Sequence, residues 1–409
     1  MAKTFGKNAF LFIIVTVTID MMSFGLIMPV TPFLVSELTH LPIEQAAPYG
    51  GYLSTSYALL NFLMAPLLGS LSDRFGRRPV LLVSMMMLGA DFLVMGLSTS
   101  IGMLFIGRFL SGISGATFST ANAYIADVTT KEERGRAYGM LGAAFGIGFI
   151  LGPVLGGLLG DLSSRAPFFA AACLSGVNTL YGWFVLPESL PVADRRKFQI
   201  ARANPFGALR QFSKLPRIGW FILGLGMANF AQMVYPSTWS FHAEVRYGWT
   251  SAKIGWSLGV VGVGAAVVQA GLIGRFLRRF GAPRTLLMAV GVVTATYTAY
   301  AFASQGWMVF VIIPISSLGG LLSPAVNSLM TSEVGRDGQG ELQGAVASVQ
   351  ALGNVLSPLV MTQLFFHFTQ QDAAFRFPGA PFLLAALLSV ASFVPFVAGI
   401  RATSQPAPT

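Results

Sequence analysis

The stretch NAFLFIIVTVTIDMMSFGLIMPVTPFLVS, residues 8–36, decides the fold class of this chain. It is long and apolar enough to cross a bilayer, and Asp20 is its only charged residue. A carboxylate near the bilayer centre costs about 2.5 to 3.5 kcal/mol on insertion scales, and such acids usually mark ion or proton pathways. Asp20 is therefore a candidate proton site. The alternative is an acid that neighbouring helices satisfy and that has no role in turnover.

Apolar segments of this kind recur along the whole chain, whose 409 residues are 54% hydrophobic and only 10% charged. This composition is typical of a membrane protein and not of a soluble core. The segments are residues 9–36, 48–70, 79–98, 101–124, 137–160, 166–186, 217–240, 252–274, 284–304, 307–331, 342–364 and 378–400. We therefore predict an all-α membrane protein with twelve transmembrane helices.

The 26 Lys and Arg residues are distributed unevenly between the two sides of the predicted membrane. With an even number of helices, nearly all of them lie on the side of Lys3 and Lys7. Arg108 lies within a predicted helix. Those on the opposite side are Arg165, Arg246, Lys253 and Arg376. The positive-inside rule then places both termini in the cytoplasm. The excess of basic over acidic residues therefore favours contact with anionic lipid headgroups over binding of nucleic acid.

Cysteine and histidine chemistry is sparse. The single Cys173 excludes an intramolecular disulfide and a cysteine-based metal site. We interpret His40, His242 and His367, which fall near predicted outer ends without ligand spacing, as surface residues. No GxxxxGK[ST] phosphate-binding motif is present, so we expect neither a nucleotide-driven machine nor a metal or organic cofactor.

The two halves of the chain resemble each other at a constant spacing. The motif GSLSDRFGRRPVLL from Gly69 has a degraded partner in GRFLRRFGAPRTLL from Gly274. Further pairs, each 205 residues apart, are Gly76 with Gly281, Gly135 with Gly340, Gly139 with Gly344, and Pro153 with Pro358. We interpret this as duplication of a six-helix bundle, which places a substrate cavity between the repeats. Chance similarity among glycine-rich hairpins is the alternative.

The predicted domains follow from this duplication. They are six-helix bundles at residues 1–186 and 217–409, joined by a cytoplasmic linker at residues 187–216. Asp91 and Arg108 fall at nearly equal depth on consecutive antiparallel helices of the first bundle. Pairing is the cheapest way to keep either charge in a membrane, so a structural and a functional ion pair are both open. For Asp20, burial raises the pKa of a carboxylate and a nearby cation lowers it, so alternating surroundings can load and release a proton.

The loop of residues 69–79 is rich in glycine and charge. Gly69 allows a close helix approach, and Gly76 permits a tight turn. Asp73 can pair with an arginine or accept from backbone amides, and Asp127 is within reach of the loop arginines. The arginines that we expect to anchor the cytoplasmic side are Arg74, Arg77 and Arg78. A gating cluster and a loop that serves only topology are both compatible with this pattern.

Small residues crowd the predicted fifth helix, where they let backbones approach closely and Pro153 introduces a kink. They are Gly142, Gly146, Gly148, Gly152, Gly156 and Gly157. Polar and aromatic side chains near helix middles are candidates for a substrate-binding cavity, because ligand cavities combine mostly apolar walls and aromatic faces with a few hydrogen-bonding groups. They are Tyr57, Asn61, Asn122, Asn229, Gln232, Tyr235, Trp239, Gln269, Asn327, Gln350 and Asn354. Any single one can instead join two helices.

Several motifs together resemble the major facilitator superfamily. GSLSDRFGRRPV from Gly69 resembles its signature loop between helices two and three, and GAAFGIGFILGPVLGG from Gly142 resembles the fifth-helix motif of its drug:proton antiporters. Further matches are DMMSFGLIMPVTP from Asp20, GRFLSGISGATFSTANAYIADV from Gly107, YPSTWSFHAEVRYGW from Tyr235 and QGELQG from Gln339. Over almost its whole length the chain resembles the tetracycline-efflux antiporters of the twelve-helix type.

The resemblance implies an antiporter of the bacterial inner membrane that exchanges an inward proton for an outward amphipathic drug, with tetracycline as the expected substrate. It implies proton coupling at Asp20, Asp91 and Arg108, gating by the loop of residues 69–79 with Asp127, and a seal or hinge in the fifth helix. Similar amides occupy the places of Gln269 and Asn327 in the family. The implied energy source is the proton gradient, and the implied partners are drug, protons and membrane lipid, with no obligate protein partner.

The chain departs from the family in its predicted ninth helix. The family carries a further aspartate there, whereas MAVGVVTATYTAY, residues 288–300, contains no acid. We therefore expect one proton per substrate, carried by Asp20. A metabolite or sugar exporter of the same fold is the alternative assignment. A non-transporting membrane receptor is a weaker rival, because it has no use for acids inside the membrane.

Overall fold

The structure is a computed structural model that describes residues 7–115, 117–130, 133–196, 216–334, 338–373 and 375–404. The described chain is helical and contains no strand. Its α-helices are α1 (Lys7–Ile27), α2 (Thr31–Thr39), α3 (Ile43–Phe75), α4 (Arg77–Gly96), α5 (Ile101–Ser114), α6 (Thr117–Val128), α7 (Arg134–Leu162), α8 (Ala166–Val185), α9 (Pro216–Gln232), α10 (Val234–Tyr247), α11 (Ser251–Val267), α12 (Ile273–Phe302), α13 (Gly306–Ser316), α14 (Leu322–Ser332), α15 (Gln339–Thr369) and α16 (Ala380–Ser404). Short 3₁₀ segments cover Val192–Asp194 and Ser317–Leu321, and a π-helical segment covers Val268–Leu272.

The helices are those of a multi-pass membrane protein. Within the described ranges, eight continuous helical stretches are long and apolar enough to cross a membrane. The bent pair α1 and α2, which meet at 48°, makes a ninth. One stretch, Ser251–Phe302, has 52 residues, far more than the roughly 20 that one crossing needs. The count of twelve crossings stays a prediction.

Helix breaks recur at equivalent places in the two predicted repeats. The break between α1 and α2 begins at Met28, and α9 and α10 are separated by Met233, 205 residues later. Gly115 follows the end of α5, and Gly320 lies in the 3₁₀ segment between α13 and α14, again 205 residues later. This shared pattern of broken helices supports the duplication that the sequence motifs indicate.

Two paired glycines adopt a backbone conformation that other residues rarely adopt. Gly76, between α3 and α4, has a φ of 108°, and Gly281, within α12, has a φ of 73°. A positive φ carries little steric penalty in glycine. The tight turn that we predicted at Gly76 is confirmed, and its repeat partner interrupts the long stretch that contains α12.

The chain forms two compact units. Unit 1 consists of Met1–Pro42, Ser56–Asn204 and Trp249–Gly262, and unit 2 consists of Ile43–Thr55, Pro205–Gly248 and Val263–Thr409. Relative to the predicted bundles, each unit therefore includes one segment from the other bundle. Fully buried Phe12, Ile13 and Tyr124 lie in the core of unit 1. The core of unit 2 contains Phe221, Leu286, Val326 and Phe396.

The predicted linker is described only in its first part. Residues 187–196 follow α8 and include the 3₁₀ turn Val192–Asp194. The rest of the linker, residues 197–215, lies outside the described residues, as do Lys3 and Lys131.

Candidate functional site

Asp20 lies on α1 of unit 1 and is buried, with 4% of its surface exposed. Its Oδ1 accepts a hydrogen bond from the Nδ2 of Asn178 on α8, over 3.4 Å. Asn178 is itself fully buried, and its Oδ1 accepts from the Thr16 hydroxyl over 3.3 Å. The carboxylate therefore contacts a neutral amide from a second helix. Asn178 was not among the residues predicted from the sequence.

Asp91 and Arg108 form the ion pair that their equal depth predicts. The Arg108 Nη2 lies 3.5 Å from the Asp91 Oδ2, with Asp91 fully buried and Arg108 nearly so. This distance is longer than those in a bidentate arginine–carboxylate pair. The two groups therefore interact through their charges and do not form two parallel hydrogen bonds. Gly107 makes room for it, because a Cβ there would lie 2.5 Å from the Asp91 Oδ1 and 3.0 Å from the Met95 Cγ.

The structure places the predicted substrate residue Tyr57 next to Arg108, and Asn61 next to Tyr57. The guanidinium carbon lies 5.9 Å from the centroid of the Tyr57 ring, and the Asn61 amide donates to the Tyr57 hydroxyl over 3.1 Å. A Cβ at Gly112 would lie 2.9 Å from the Tyr57 carbonyl oxygen, so α5 approaches α3 closely here. A cation, an aromatic face and an amide together suit a planar ligand with hydrogen-bond acceptors.

The other predicted cavity residues are spread over α6 and unit 2. Tyr235 and Trp239 on α10 pack into an aromatic cluster, with Trp239 buried and its ring centroid 5.5 Å from that of Tyr300. Gln269 is exposed and lies in the π-helical segment, a local irregularity often found at functional sites. Asn122, Asn229, Asn327 and Gln350 are half-buried, and Gln232 and Asn354 are exposed.

The loop between α3 and α4 forms the predicted ion cluster. The Arg77 Nη1 lies 2.6 Å from the Asp73 Oδ1, and its Nε lies 3.1 Å from the Asp127 Oδ2. Arg77 is therefore the partner of Asp127. Arg78 instead donates to the Trp183 carbonyl over 2.6 Å, and the exposed Arg74 lies over the Phe75 ring at 4.9 Å.

Glu188 belongs to this cluster, although the sequence analysis did not select it. Its Oε1 accepts from the backbone amides of Arg77, over 2.8 Å, and of Leu190, over 3.1 Å, and its Oε2 lies 3.8 Å from Arg195. A Cβ at Gly76 would collide with this carboxylate, so the glycine is needed for space as well as for its backbone angle. An acid directly after the last residues of an apolar segment, beside many arginines, was the available signal.

Close packing in the fifth predicted helix, which is α7, is confirmed at four of the six glycines that we singled out, among them Gly148, which packs on Thr18 and Met21 of α1. A Cβ at Gly152 would lie 2.5 Å from the Met22 carbonyl oxygen of α1, and Gly156 packs equally closely on the Leu26 backbone. Gly157 packs on Ala252 and Gly255 of α11. The helix runs continuously through Pro153 from Arg134 to Leu162.

The predicted close approach of a neighbouring backbone is wrong at three glycines. No atom of a described residue lies within 4 Å of a Cβ built at Gly69, Gly142 or Gly146. These glycines face open space on their helices and bring no described backbone close. The distribution of glycine along a helix marks where close contact is permitted, but not which face receives a neighbour.

The interpretation of all three histidines as surface residues was also wrong for one of them. His40 and His367 are exposed, whereas His242 on α10 is buried. Two of its aromatic neighbours, Phe365 and Phe382, come from helices far away in sequence, which explains why position near a helix end was misleading.

Comparison with known proteins agrees with this geometry. The family model described as Major Facilitator Superfamily matches residues 13–358. The chain is 38% identical over 360 residues to the tetracycline resistance protein, class C, of Escherichia coli, a match that covers 88% of this chain and 90% of that protein. It is 37% identical over 359 residues to the class G protein of Vibrio anguillarum, covering 88% and 91%.

Solved structures show the same fold at lower identity. The human organic anion transporter MFSD10 aligns with a TM-score of 0.70 and 20% identity, covering 95% of this chain and 99% of that one. The nucleoside transporter NupG aligns with a TM-score of 0.76 and 14% identity, covering 98% of this chain and 100% of that one.

Proposed function

Because this chain belongs to the Major Facilitator Superfamily, a family of transporters, we propose that it is a proton-coupled antiporter that exports tetracycline by alternating access. The observation that carries the proposal is the match over 88% of the chain to tetracycline resistance proteins. Two buried acids and one buried arginine within the helices supply charges of the kind that proton coupling requires.

The protein is a multi-pass membrane protein, and in this proposal it lies in the bacterial inner membrane with both termini in the cytoplasm. The uneven distribution of Lys and Arg supports this orientation. Residues 1–186 and 217–409 are the two six-helix bundles that move against each other, joined by the linker at residues 187–216. The recurring helix breaks support this division.

Asp20 carries the coupled proton in this proposal. Its carboxylate is buried on α1, and the Asn178 amide gives the ionised form one hydrogen-bond donor in place of water. Protonation removes the charge that burial penalises, so a proton can be exchanged when the surroundings of α1 change. The membrane potential contributes about 2.3 kcal/mol per 100 mV for each charge moved inward.

Substrate binding involves Arg108, Tyr57 and Asn61 in this proposal. Tetracycline is a planar fused-ring molecule with a row of oxygen atoms along one edge, so it can stack on an aromatic face and accept from a guanidinium and an amide. The remaining predicted cavity residues are further candidates for contact with the drug. No cofactor is part of the proposal, and a metal ion that travels with tetracycline is cargo.

In this proposal, the ion cluster of Asp73, Arg77, Asp127 and Glu188 gates the transport cycle. Arg77 connects the end of α3 to Asp127 at the end of α6, and Glu188 connects the start of α4 to the segment after α8. A set of part-buried ion pairs has discrete made and broken arrangements, which suits a two-state gate.

A metabolite or sugar exporter is the second candidate. The observation that favours it is the absence of any acid in residues 288–300, in the helix where tetracycline antiporters carry one. A cavity that lacks this acid has a different charge from that of the tetracycline antiporters, and it favours a different transported substrate.

Everted membrane vesicles test the proposal directly. We expect a pump-deficient host that produces this chain to become resistant to tetracycline. We expect its everted vesicles to accumulate tetracycline when respiration imposes a proton gradient, and to lose it when a protonophore is added. Vesicles with Asp20→Asn are the matched control. Correctly inserted protein that gives neither resistance nor accumulation would refute tetracycline export, and a metabolite panel would then decide on the second candidate.

A further inference from the structure

His242 is the single buried histidine in a chain with three. It is 1% exposed, on α10 of unit 2. Its ring is surrounded by other rings, with centroid distances of 5.1 Å to Phe382, 5.6 Å to Tyr247, 6.2 Å to Trp239 and 6.4 Å to Phe365. The tetracycline proposal gives this residue no role.

The hydrogen bonding of the ring leaves one nitrogen available for a proton. The His242 Nδ1 lies 3.0 Å from the carbonyl oxygen of Pro378, just before α16. A carbonyl only accepts, so Nδ1 carries the hydrogen and the neutral ring has an acceptor at Nε2. Nε2 is buried and has no hydrogen-bond partner among the described residues.

The surroundings oppose a charge on this ring while it is buried. On its own helix the nearby groups are Tyr247, in ring contact, and Arg246, whose Nε donates to the Ala303 carbonyl over 3.2 Å. From α15 and α16 the ring meets neutral Phe365 and Phe382, and Tyr300 of α12 packs against Phe382 at 5.5 Å. No acid among the described residues is in contact with the ring, so an added proton would be a buried cation beside an arginine.

Two acids also lie where α3 meets α10. Glu244 of α10 and Glu44 of α3 are close enough for their charges to repel each other. Protonation of Glu244 relieves this repulsion as the pH falls, which favours packing of α3 on α10. A proton on His242 acts in the opposite direction, so the two effects differ in sign.

The first part of α3 packs on Phe365, one of the rings around His242, and on Phe241, the residue before it. Ala47 packs with Phe241 and Phe365 in one buried cluster, and a Cβ at Gly50 would lie 2.6 Å from the Phe241 ring. Two hydrogen bonds hold this segment on α15. Gln363 donates to the Tyr52 hydroxyl over 2.7 Å, and Thr55 donates to the Val355 carbonyl over 2.9 Å.

We propose that His242 is a second proton-binding site, open to the outer side, that couples the packing of Ile43–Thr55 on α10 and α15 to the external pH. When this segment separates, Phe241 and Phe365 lose their cover and water reaches Nε2. A proton bound there stabilises the separated state, and the segment repacks only after the proton has left to the same side. The inference rests on the proposed antiporter function, and it adds no transported proton to the cycle.

The direction of the pH effect follows from which of the two states binds the proton. The packed state excludes the cation and the separated state accepts it, so the separated population rises as the external pH falls through the range of histidine, with an ordinary pKa of about 6.5. One proton changes the ratio of the two states by at most about tenfold per pH unit.

A distance measurement between spin labels tests the proposal without any substrate. Labels are attached at Gln45→Cys and Gln371→Cys in a Cys173→Ser background that also carries Asp20→Asn, so that Asp20 does not titrate. With His242 present, we expect the ratio of long to short distances to rise at least about threefold from pH 8 to pH 5.5. We expect His242→Gln and His242→Phe to abolish this rise, and His367→Gln, at an exposed position, to leave it unchanged. Glu44 and Glu244 are retained in every variant, so the comparison isolates the contribution of His242 to the pH dependence.

Two results would overturn the proposal. One is a pH-dependent rise that persists in both His242 variants, provided that their distances at pH 8 match those of the parent and so show intact folding. The other is a lower ratio of protons to tetracycline in reconstituted His242→Phe, which would make His242 a carrier of transported protons. If the chain fails to export tetracycline, the distance measurement still decides the role of His242, so the two failures are distinguishable.

Discussion

The Nδ2 of Asn178 on α8 donates to the Oδ1 of Asp20 on α1 over 3.4 Å, and both side chains are buried. This relationship joins the first helix to the eighth through the one carboxylate that the first membrane crossing contains. The amide accepts in turn from Thr16, one turn before Asp20. A neutral donor stabilises the ionised carboxylate but still allows it to bind a proton. A nearby cation would instead hold the carboxylate in its charged form.

We expect Asp20→Asn to abolish tetracycline accumulation driven by a proton gradient while membrane insertion stays intact. The amide is cheaper to bury than the carboxylate but cannot carry a proton. Tetracycline uptake and the accompanying pH change would be followed in vesicles, with the exposed Asp194→Asn as a control that behaves like wild type. Normal coupling in Asp20→Asn would remove Asp20 from the mechanism.

Asn178→Leu should lower the turnover by about tenfold, because a lost hydrogen bond to a charged group costs about 1.5 to 3 kcal/mol. The ionised Asp20 would then lose the Asn178 donor, and proton release would slow. Thr16→Val leaves the amide in place but removes its anchor, so we expect a smaller effect in the same direction. Turnover and tetracycline affinity would be measured separately in proteoliposomes. An unchanged turnover in Asn178→Leu would show that the contact is structural.

Asp73→Lys should slow the conformational cycle more than it weakens tetracycline binding. The substitution replaces the carboxylate that lies 2.6 Å from Arg77 with a cation, and about 1 kcal/mol of repulsion shifts a two-state equilibrium about fivefold. Binding affinity and transport rate would be compared with those of Asp194→Lys, which adds the same charge at an exposed position. A large loss of affinity with an unchanged rate per bound molecule would contradict a gating role.

Gly107→Ala should destabilise the protein by about 1 to 3 kcal/mol. The new methyl group would lie 2.5 Å from the Asp91 Oδ1 and would force the buried ion pair apart. Gly142→Ala is the matched control, because no described atom lies within 4 Å of that position. Thermal unfolding in detergent would compare the two variants, and equal stability would show that the pair can move aside without cost.

We expect one proton per tetracycline, carried by Asp20, because a protonated Asp91 would leave the buried Arg108 without its counter-charge. Asp91→Asn should then reduce stability, since it leaves Arg108 buried without its partner, and it should not change the coupling ratio. Asp91→Asn combined with Arg108→Gln should recover part of the lost stability. The reversal point of transport under imposed pH gradients and potentials gives the ratio. Two or more protons would show that a further group titrates.

Patterns along the chain were sufficient to predict several features. Hydropathy alone indicated the long apolar helices of a multi-pass membrane protein, because each crossing needs a continuous run of about 20 apolar residues, and the count of twelve crossings stays a prediction. The constant spacing of 205 residues indicated the duplication. The ion pair of Asp91 and Arg108 was predictable from depth on neighbouring helices, since a lone charge in the membrane is costly. The turn at Gly76 was predictable from the conformational freedom of glycine.

Only the tertiary structure decided which faces of the helices meet. Asn178 contacts Asp20 across 158 residues of sequence, and Glu188 reaches Arg77 across 111. The burial of His242 and the open surroundings of Gly69 depend on the rotation of each helix about its axis. Membrane helices are apolar on nearly every side, so hydropathy gives their depth but carries little information about rotation. Close packing and the few polar contacts fix the rotation, and through it the neighbours of each charged or titratable group.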